Sequence, residues 1–337
     1  MMPTKKFCMF RKTTIQRLIF AVFYQLTFVF MSLLTVGTVA FDTIETPFGK
    51  AERVVGGAAN YISIAASYFT DDIRLVSVVG DDFPTTELDY FRSRGINLDG
   101  LQIRQGEKSF FWAGKYHNDM NSRDTLDTQL NVLATFEPHL PESYRDARFV
   151  MLGNLTPDVQ FSVLKQMNRR PKLVVLDTMN FWMDIALDAL KKVLKKVDVL
   201  TINDEEARQL SGERSLVRAA EKIQAMGPKI LVIKKGEHGA LLFANGQMFF
   251  APALPLLDVI DPTGAGDTFA GGFIGYLAKT NNISFPNLKR AIIYGSAMAS
   301  FCVEKFSNEG IKDLTWPQIQ ARVKVFSDLV NFKADKG

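Results

Sequence analysis

Cysteine and histidine are scarce in this chain: 337 residues contain two of the first and three of the second. Cys8 and Cys302 can make at most one bridge, which excludes a disulfide framework and fits a reducing compartment such as the cytoplasm. His117, His139 and His238 show no metal-ligand spacing, which argues against a zinc enzyme. Equally absent are a Gly-x-x-x-x-Gly-Lys-[Ser/Thr] loop, a Gly-x-Gly-x-x-Gly after the first strand-like run, and the nucleophile elbow on which a Ser-His-Asp hydrolase would rest. No repeat and no low-complexity linker interrupts the chain. What is present, 47% hydrophobic and 23% charged residues, is the composition of an ordinary globular protein able to bury a large core.

Acids are missing from the first thirty positions, which hold Lys5, Lys6, Arg11, Lys12 and Arg17. The whole chain carries +4 and that stretch +5, so residues 31–337 net −1 and nothing there points to nucleic acid. The basic start precedes the apolar run Leu18–Phe30, a pattern like a signal peptide or membrane anchor. That run continues into Leu33–Val36, which reads as a buried strand, with no clear cleavage site between them. Residues 1–30 are therefore expected to be a dispensable extension ahead of Met31. An anchor or targeting segment is the alternative, and a membrane partner is not expected.

Short apolar runs recur at Leu33–Val36, Arg74–Val79, Phe149–Leu152, Leu173–Leu176, Val197–Ile202 and Ile230–Ile233. Helical patterns separate them at Ala58–Tyr68, Thr86–Arg94, Pro157–Met167, Asp184–Leu194, Glu205–Leu210 and Leu216–Ala225. The alternation predicts an α/β fold: a three-layer sandwich with a mostly parallel central sheet covered by helices on both faces. Asn245-Gly246 predicts a hairpin between Ala240–Phe243 and Gln247–Phe250. Helices return at 267–278, 287–305 and 316–330. Thr43–Val54 and Lys108–Tyr116 break the rhythm and read as exposed strands, the second with Phe110, Trp112 and Tyr116 on one face. That face reads as a lid, as core or as a dimer contact. Lys115–Asp124 is polar and reads as a lid tip or a solvated loop.

Asp261-Pro-Thr-Gly-Ala-Gly-Asp267 is the most informative stretch. Proline and two glycines keep 262–266 irregular, and from Thr268 the apolar spacing is helical, with Phe269, Phe273, Tyr276 and Leu277 on one side. The amides of Gly264, Ala265 and Gly266 would be free donors at a helix N-terminus, an anion site. Asp267 would repel that anion unless its task is to take a proton from a hydroxyl while the amides hold developing charge. The plain alternative is an Asp that caps a helix. Asn203 and Glu206, three apart at a strand-to-helix junction, suit either a helix cap or the water shell of Mg²⁺. Asp42, Asp177 and Asn180 follow strand-like runs, where ligands of open α/β sheets gather.

Three ordered motifs give the chain a family resemblance. Asp261–Asp267 with Gly271-Gly272 resembles the C-terminal signature of the ribokinase-like (PfkB) sugar and nucleoside kinases. Val55-Gly56-Gly57-Ala-Ala-Asn60 resembles their di-glycine motif, and Asn203-Asp-Glu-Glu206 their Asn-x-x-Glu motif. The similarity runs from about Leu33 to Phe332. It implies a kinase domain over 31–337 with a small β lid from about 43–54 and 108–118, using ATP and Mg²⁺ to phosphorylate a primary hydroxyl of a sugar or sugar-like substrate. A nucleoside kinase is the alternative within the family, and a binding or regulatory protein that keeps the fold is the alternative outside catalysis. The resemblance implies that Asp42, Gly56, Gly57 and Asn60 bind substrate, and that Asp267 is the base above the 264–266 amides. Asn203 and Glu206 would hold Mg²⁺ through water, and Thr263, Gly236 and Gly239 would line the nucleotide. Lys234 stands where the family usually has threonine, and either adds charge toward phosphate or faces solvent. Asp261 and Thr263 match part of a monovalent-cation (K⁺) site, and a homodimer through the lid is compatible.

Overall fold

The computed structural model describes residues 31–331, so the expected N-terminal extension lies outside the described residues. Thirteen strands follow in chain order: β1 (Leu33–Val36), β2 (Ala40–Thr46), β3 (Gly49–Gly56), β4 (Ile73–Gly80), β5 (Ile96–Arg104), β6 (Phe110–Tyr116), β7 (Arg123–Gln129), β8 (Phe149–Leu152), β9 (Leu173–Asp177), β10 (Val199–Asn203), β11 (Ile230–Lys234), β12 (Ala240–Ala244) and β13 (Gln247–Ala251). The α-helices are α1 (Ala58–Ala66), α2 (Thr85–Ser93), α3 (Pro157–Lys165), α4 (Asn180–Ile185), α5 (Leu187–Leu194), α6 (Asp204–Ser211), α7 (Leu216–Ala225), α8 (Ala265–Thr280), α9 (Phe285–Cys302) and α10 (Trp316–Val330).

Nine strands form one sheet in the order β13-β12-β11-β10-β9-β8-β1-β4-β5. From β5 to β11 all neighbours run parallel, and β12 and β13 close the edge as the expected antiparallel hairpin. Side chains alternate across the sheet, as the period of a strand requires. Leu33, Phe149, Val175 and Val232 pack on one face under α1, α2, α8 and α9. Leu34, Val150, Leu176 and Leu231 pack on the other under α3, α5, α6 and α7. Among the described residues no helix is long and apolar enough to cross a membrane.

The lid is a second, four-stranded sheet, β3-β2-β6-β7. Its chain leaves the main sheet after β1 and after β5, at the carboxyl ends of parallel strands. Two antiparallel hairpins, β2/β3 and β6/β7, join through a parallel β2/β6 pair. The segment expected as one strand over Thr43–Val54 is instead two, turning at Pro47-Phe48, and Asp42 lies inside β2. The expected helix Asp184–Leu194 breaks at Ala186, whose φ of −140° separates α4 from α5.

Candidate active site

The candidate residues converge at the carboxyl ends of β1, β9, β10 and β11, facing the start of α8 and roofed by the lid. This is where ligands of open parallel sheets bind.

Asp42 stands on one side. It is 5% exposed, and its side chain crosses above Gly56 so closely that a Cβ there would sit 1.8 Å from Oδ2. Burial and nearby Asp261 push its carboxyl up to about 7, with Asp267 adding to the rise and the Gly57 amide pulling back. Gly57 adopts φ 91°, and a Cβ would meet the Thr38 carbonyl oxygen at 2.5 Å, so the backbone here passes β1's exit loop with no room for a side chain. Asn60 follows in the first turn of α1, fully buried. Its Oδ1 accepts a hydrogen bond from Asn308 Nδ2 at 3.1 Å, while its own Nδ2 has no partner among the described residues. An unpartnered buried amide is costly unless a ligand satisfies it.

Asp261 braces the loop before α8. Fully buried, it accepts Thr263 N–H on Oδ1 and Ser307 N–H on Oδ2, each at 2.8 Å. Thr263 Oγ1 donates to Tyr116 Oη of the lid at 3.2 Å. Gly264 takes the left-handed φ of 75° as N-cap of α8, and a Cβ on it would strike the Tyr61 ring. The Ala265 amide donates to the Pro262 carbonyl at 3.2 Å, so it is not the free donor expected. Among the described residues, the amides of Gly264, Gly266 and Asp267 make no backbone hydrogen bond. The amides without a backbone acceptor are therefore these three, rather than the expected Gly264, Ala265 and Gly266.

Asp267 lies in the first turn of α8. The residue is only partly covered. Burial and Asp177 push its carboxyl up to about 7, against the pull of Lys234 and of Arg123 from β7. Exclusion of water and a second carboxylate displace it from the ordinary Asp range.

Across α8 stands a second charged group. Asn203 and Glu206 form a complete capping box: Asn203 Oδ1 accepts Glu206 N–H at 2.8 Å, and Glu206 Oε2 accepts Asn203 N–H at 2.7 Å. The Asn-x-x-Glu letters therefore build the cap that the sequence left open as one of two readings. Glu206 is 6% exposed; burial pushes its carboxyl up to about 7 despite Lys234 nearby. Lys234 Nζ meets Asp177 Oδ2 at 2.7 Å, with the side chain 18% exposed, so the solvent-facing alternative for this lysine is overturned. Gly236 and Gly239 shape the turn from β11 to β12 with φ of 54° and 81°. A Cβ on Gly236 would lie 2.8 Å from Asn121 Oδ1, so the lid's 117–122 turn rests on this loop.

Three contributors escaped the sequence reading. Ser307 and Asn308 come from the turn after α9, with no motif to mark them. Tyr61 lies within a run that reads simply as buried helix. Arg123 belongs to the 115–124 stretch expected as a lid tip or a solvated loop; it sits on a strand with every side chain exposed, and its pairing with β6 fixes its place in the lid.

A parallel sheet with polar groups gathered at its strand ends, free amides at one helix start and a lid above them is an arrangement suited to an anionic ligand. Residues 32–311 match the family described as pfkB family carbohydrate kinase. The chain is 31% identical over 253 residues to the cytidine kinase of Thermococcus kodakarensis, covering 73% of this chain and 88% of that one. The nucleoside kinase of Methanocaldococcus jannaschii, an archaeal member of the ribokinase family, superposes with a TM-score of 0.70 at 21% identity, over 87% of this chain and 98% of that one. A putative ribokinase II from E. coli, solved in complex with ATP and Mg²⁺, gives 0.71 at 18% identity over 88% and 99%. The chain belongs to the pfkB family of carbohydrate kinases, and it is a kinase.

Proposed function

We propose that this kinase transfers the γ-phosphoryl group of ATP to a primary hydroxyl of a sugar or sugar-like substrate. The observation that carries this reading is the first turn of α8, where Asp267 stands beside amides without a backbone acceptor and Lys234 Nζ lies 3.0 Å from where a Gly266 Cβ would be. Asp42 and the unpaired Asn60 amide offer an acceptor and a donor to neighbouring sugar hydroxyls. Asp267 takes the proton of the reacting hydroxyl as its oxygen bonds to the γ-phosphorus. The bond from that phosphorus to the bridging oxygen breaks, ADP leaves with the electron pair, and the Gly264, Gly266 and Asp267 amides stabilise the charge in transit.

Among the described residues no three His, Cys, Asp or Glu side chains converge to hold a metal directly. Glu206 keeps one carboxylate oxygen outside its cap, and with Asp177 it gives this side a surplus of negative charge, a donor set suited to a hydrated Mg²⁺ rather than a fully protein-ligated one. Bound with the nucleotide, Mg²⁺ supplies charge neutralisation at the phosphates. The E. coli relative's complex with ATP and Mg²⁺ supports this assignment. The reading places the protein in the cytoplasm, where ATP is supplied.

A second reading, a nucleoside as acceptor, has its own observation. Trp112 pairs beside Asp42 across β2 and β6, an aromatic surface next to the sugar-binding acid on which a base would stack. The cytidine kinase relative favours it too. A panel of sugars and nucleosides with ATP and Mg²⁺, read by ADP release, separates the two. Turnover of ribose, fructose or a derivative above every nucleoside supports the sugar reading, cytidine above the sugars supports the nucleoside reading, and no ADP from any member overturns both. Because Asp267 acts only when ionised, kcat is expected to fall as pH drops through about 7. An acid limb confined below pH ~5 would show that the carboxyl works at its ordinary value.

A further inference from the structure

Lys234 stands at the end of β11, where the family usually has a threonine, and its side chain turns over the first turn of α8. Its Nζ donates to Asp177 Oδ2 at 2.7 Å, and the same oxygen accepts from Thr201 Oγ1 at 2.7 Å. The ammonium lies so near α8 that a Cβ on Gly266 would be 3.0 Å from Nζ. Gly266 is absent from the positions of positive φ, so helix geometry does not call for glycine there. A side chain there would instead crowd the tip of the lysine. The cation therefore rests against the same turn whose Gly266 and Asp267 amides have no acceptor.

Stability alone is a poor reason for this arrangement. Withdrawing an ion pair from water costs about as much as the pair returns, and well-packed apolar side chains do as well. An ammonium has three donors; Asp177 takes one, and the others remain for a ligand. Burial works against the charge, but Asp177, Glu206 and Asp267 outweigh it and raise the Lys234 pKa above its ordinary value, so the side chain is a cation throughout the neutral range.

We propose that Lys234 is a catalytic residue whose ammonium contacts the oxygens of the γ-phosphoryl group during its transfer, with Asp177 as the positioning residue that holds the lysine against α8. This rests on the phosphotransfer reading above and adds to it a fixed protein cation beside the free amides. A point charge aimed at the moving group acts mainly in the transition state, so its loss lowers kcat more than it weakens binding.

The test compares wild type with Lys234→Met, Lys234→Thr and Asp177→Asn. It measures kcat, KM for both substrates, and the affinity for ADP with and without aluminium fluoride, a mimic of the phosphoryl group in flight. Lys234→Met and Lys234→Thr are expected to lower kcat about 10²-fold with little change in KM or ADP affinity, and to lose the tightening that aluminium fluoride brings. Asp177→Asn is expected to show the same pattern more weakly, since the lysine stays but loses its anchor. Thermal melting establishes that each variant is folded. Should Lys234→Met fail to fold, the double variant Lys234→Met/Asp177→Asn, which leaves no charge unpaired, takes its place with the same expectation. A kcat within about threefold of wild type with the aluminium fluoride effect intact would overturn the proposal and leave a structural ion pair. A wild type that consumes no ATP with any acceptor would overturn the phosphotransfer reading itself, and this inference with it.

Discussion

Asp267→Asn is expected to lower turnover by about 10²–10⁴ while leaving the affinities for nucleotide and acceptor nearly unchanged. Asparagine keeps the shape of the side chain and its place in the first turn of α8, but an amide has no capacity to take the proton of the attacking hydroxyl. The free amides of Gly264 and Gly266 belong to the backbone and are retained. Removing the charge also relieves its repulsion with Asp177, which raises the Asp267 pKa in the wild type, so the variant is expected to melt no lower than the parent. Steady-state kinetics with calorimetric ADP binding check both halves. A variant keeping more than about a tenth of wild-type turnover would remove Asp267 from the role of base.

The parts of this fold that the sequence displays plainly are those where burial is complete. Phe149–Leu152 and Leu33–Val36 are wholly buried, and their short runs, apolar but for Thr35, mark their ends to the residue. The loop at 261–267 is equally plain, because glycine and proline announce irregular backbone before the helical spacing begins. Strand β7 is the opposite case. All its side chains are exposed, it owes its existence to backbone pairing with β6, and no hydrophobic period betrays it. Strand β5 hides for a related reason: Asn97, Asp99 and Gly100 interrupt its apolar positions.

The site divides in the same way. Asp42, the glycine pair, Asn60 and Asp267 are local motifs, and local motifs survive in sequence. Their braces are not local: Ser307 meets Asp261 across 46 residues, and Asn308 meets Asn60 across 248. The direction of Lys234 depends on Asp177, 57 residues away, through a pairing of strand ends that no spacing rule encodes. The Asn203–Glu206 motif shows how one spelling serves two purposes. Its side chains close a helix cap, and the carboxylate oxygen left over still faces the charged cluster.

Gly56→Ala is expected to reduce kcat/KM for the acceptor by about 10²–10⁴, since hydrogen bonds to a charged group contribute about 1.5–3 kcal/mol each and Asp42 can accept two. The new methyl would sit 1.8 Å from Asp42 Oδ2, so the carboxylate must leave the place where it meets the substrate. Unlike Gly57, Gly56 is not among the residues of positive φ, and alanine brings no backbone strain with it. The damage should therefore fall on the acceptor's KM, with ATP binding and the fold retained, and Asp42→Ala should reproduce it. Gly57→Ala serves as the contrast, because its Cβ meets the Thr38 backbone at a φ that alanine resists, and destabilisation should accompany any loss of activity. Acceptor kinetics alongside thermal melts separate the two cases. If Gly56→Ala binds the acceptor as well as the wild type does, the Asp42 carboxylate is not what holds the sugar.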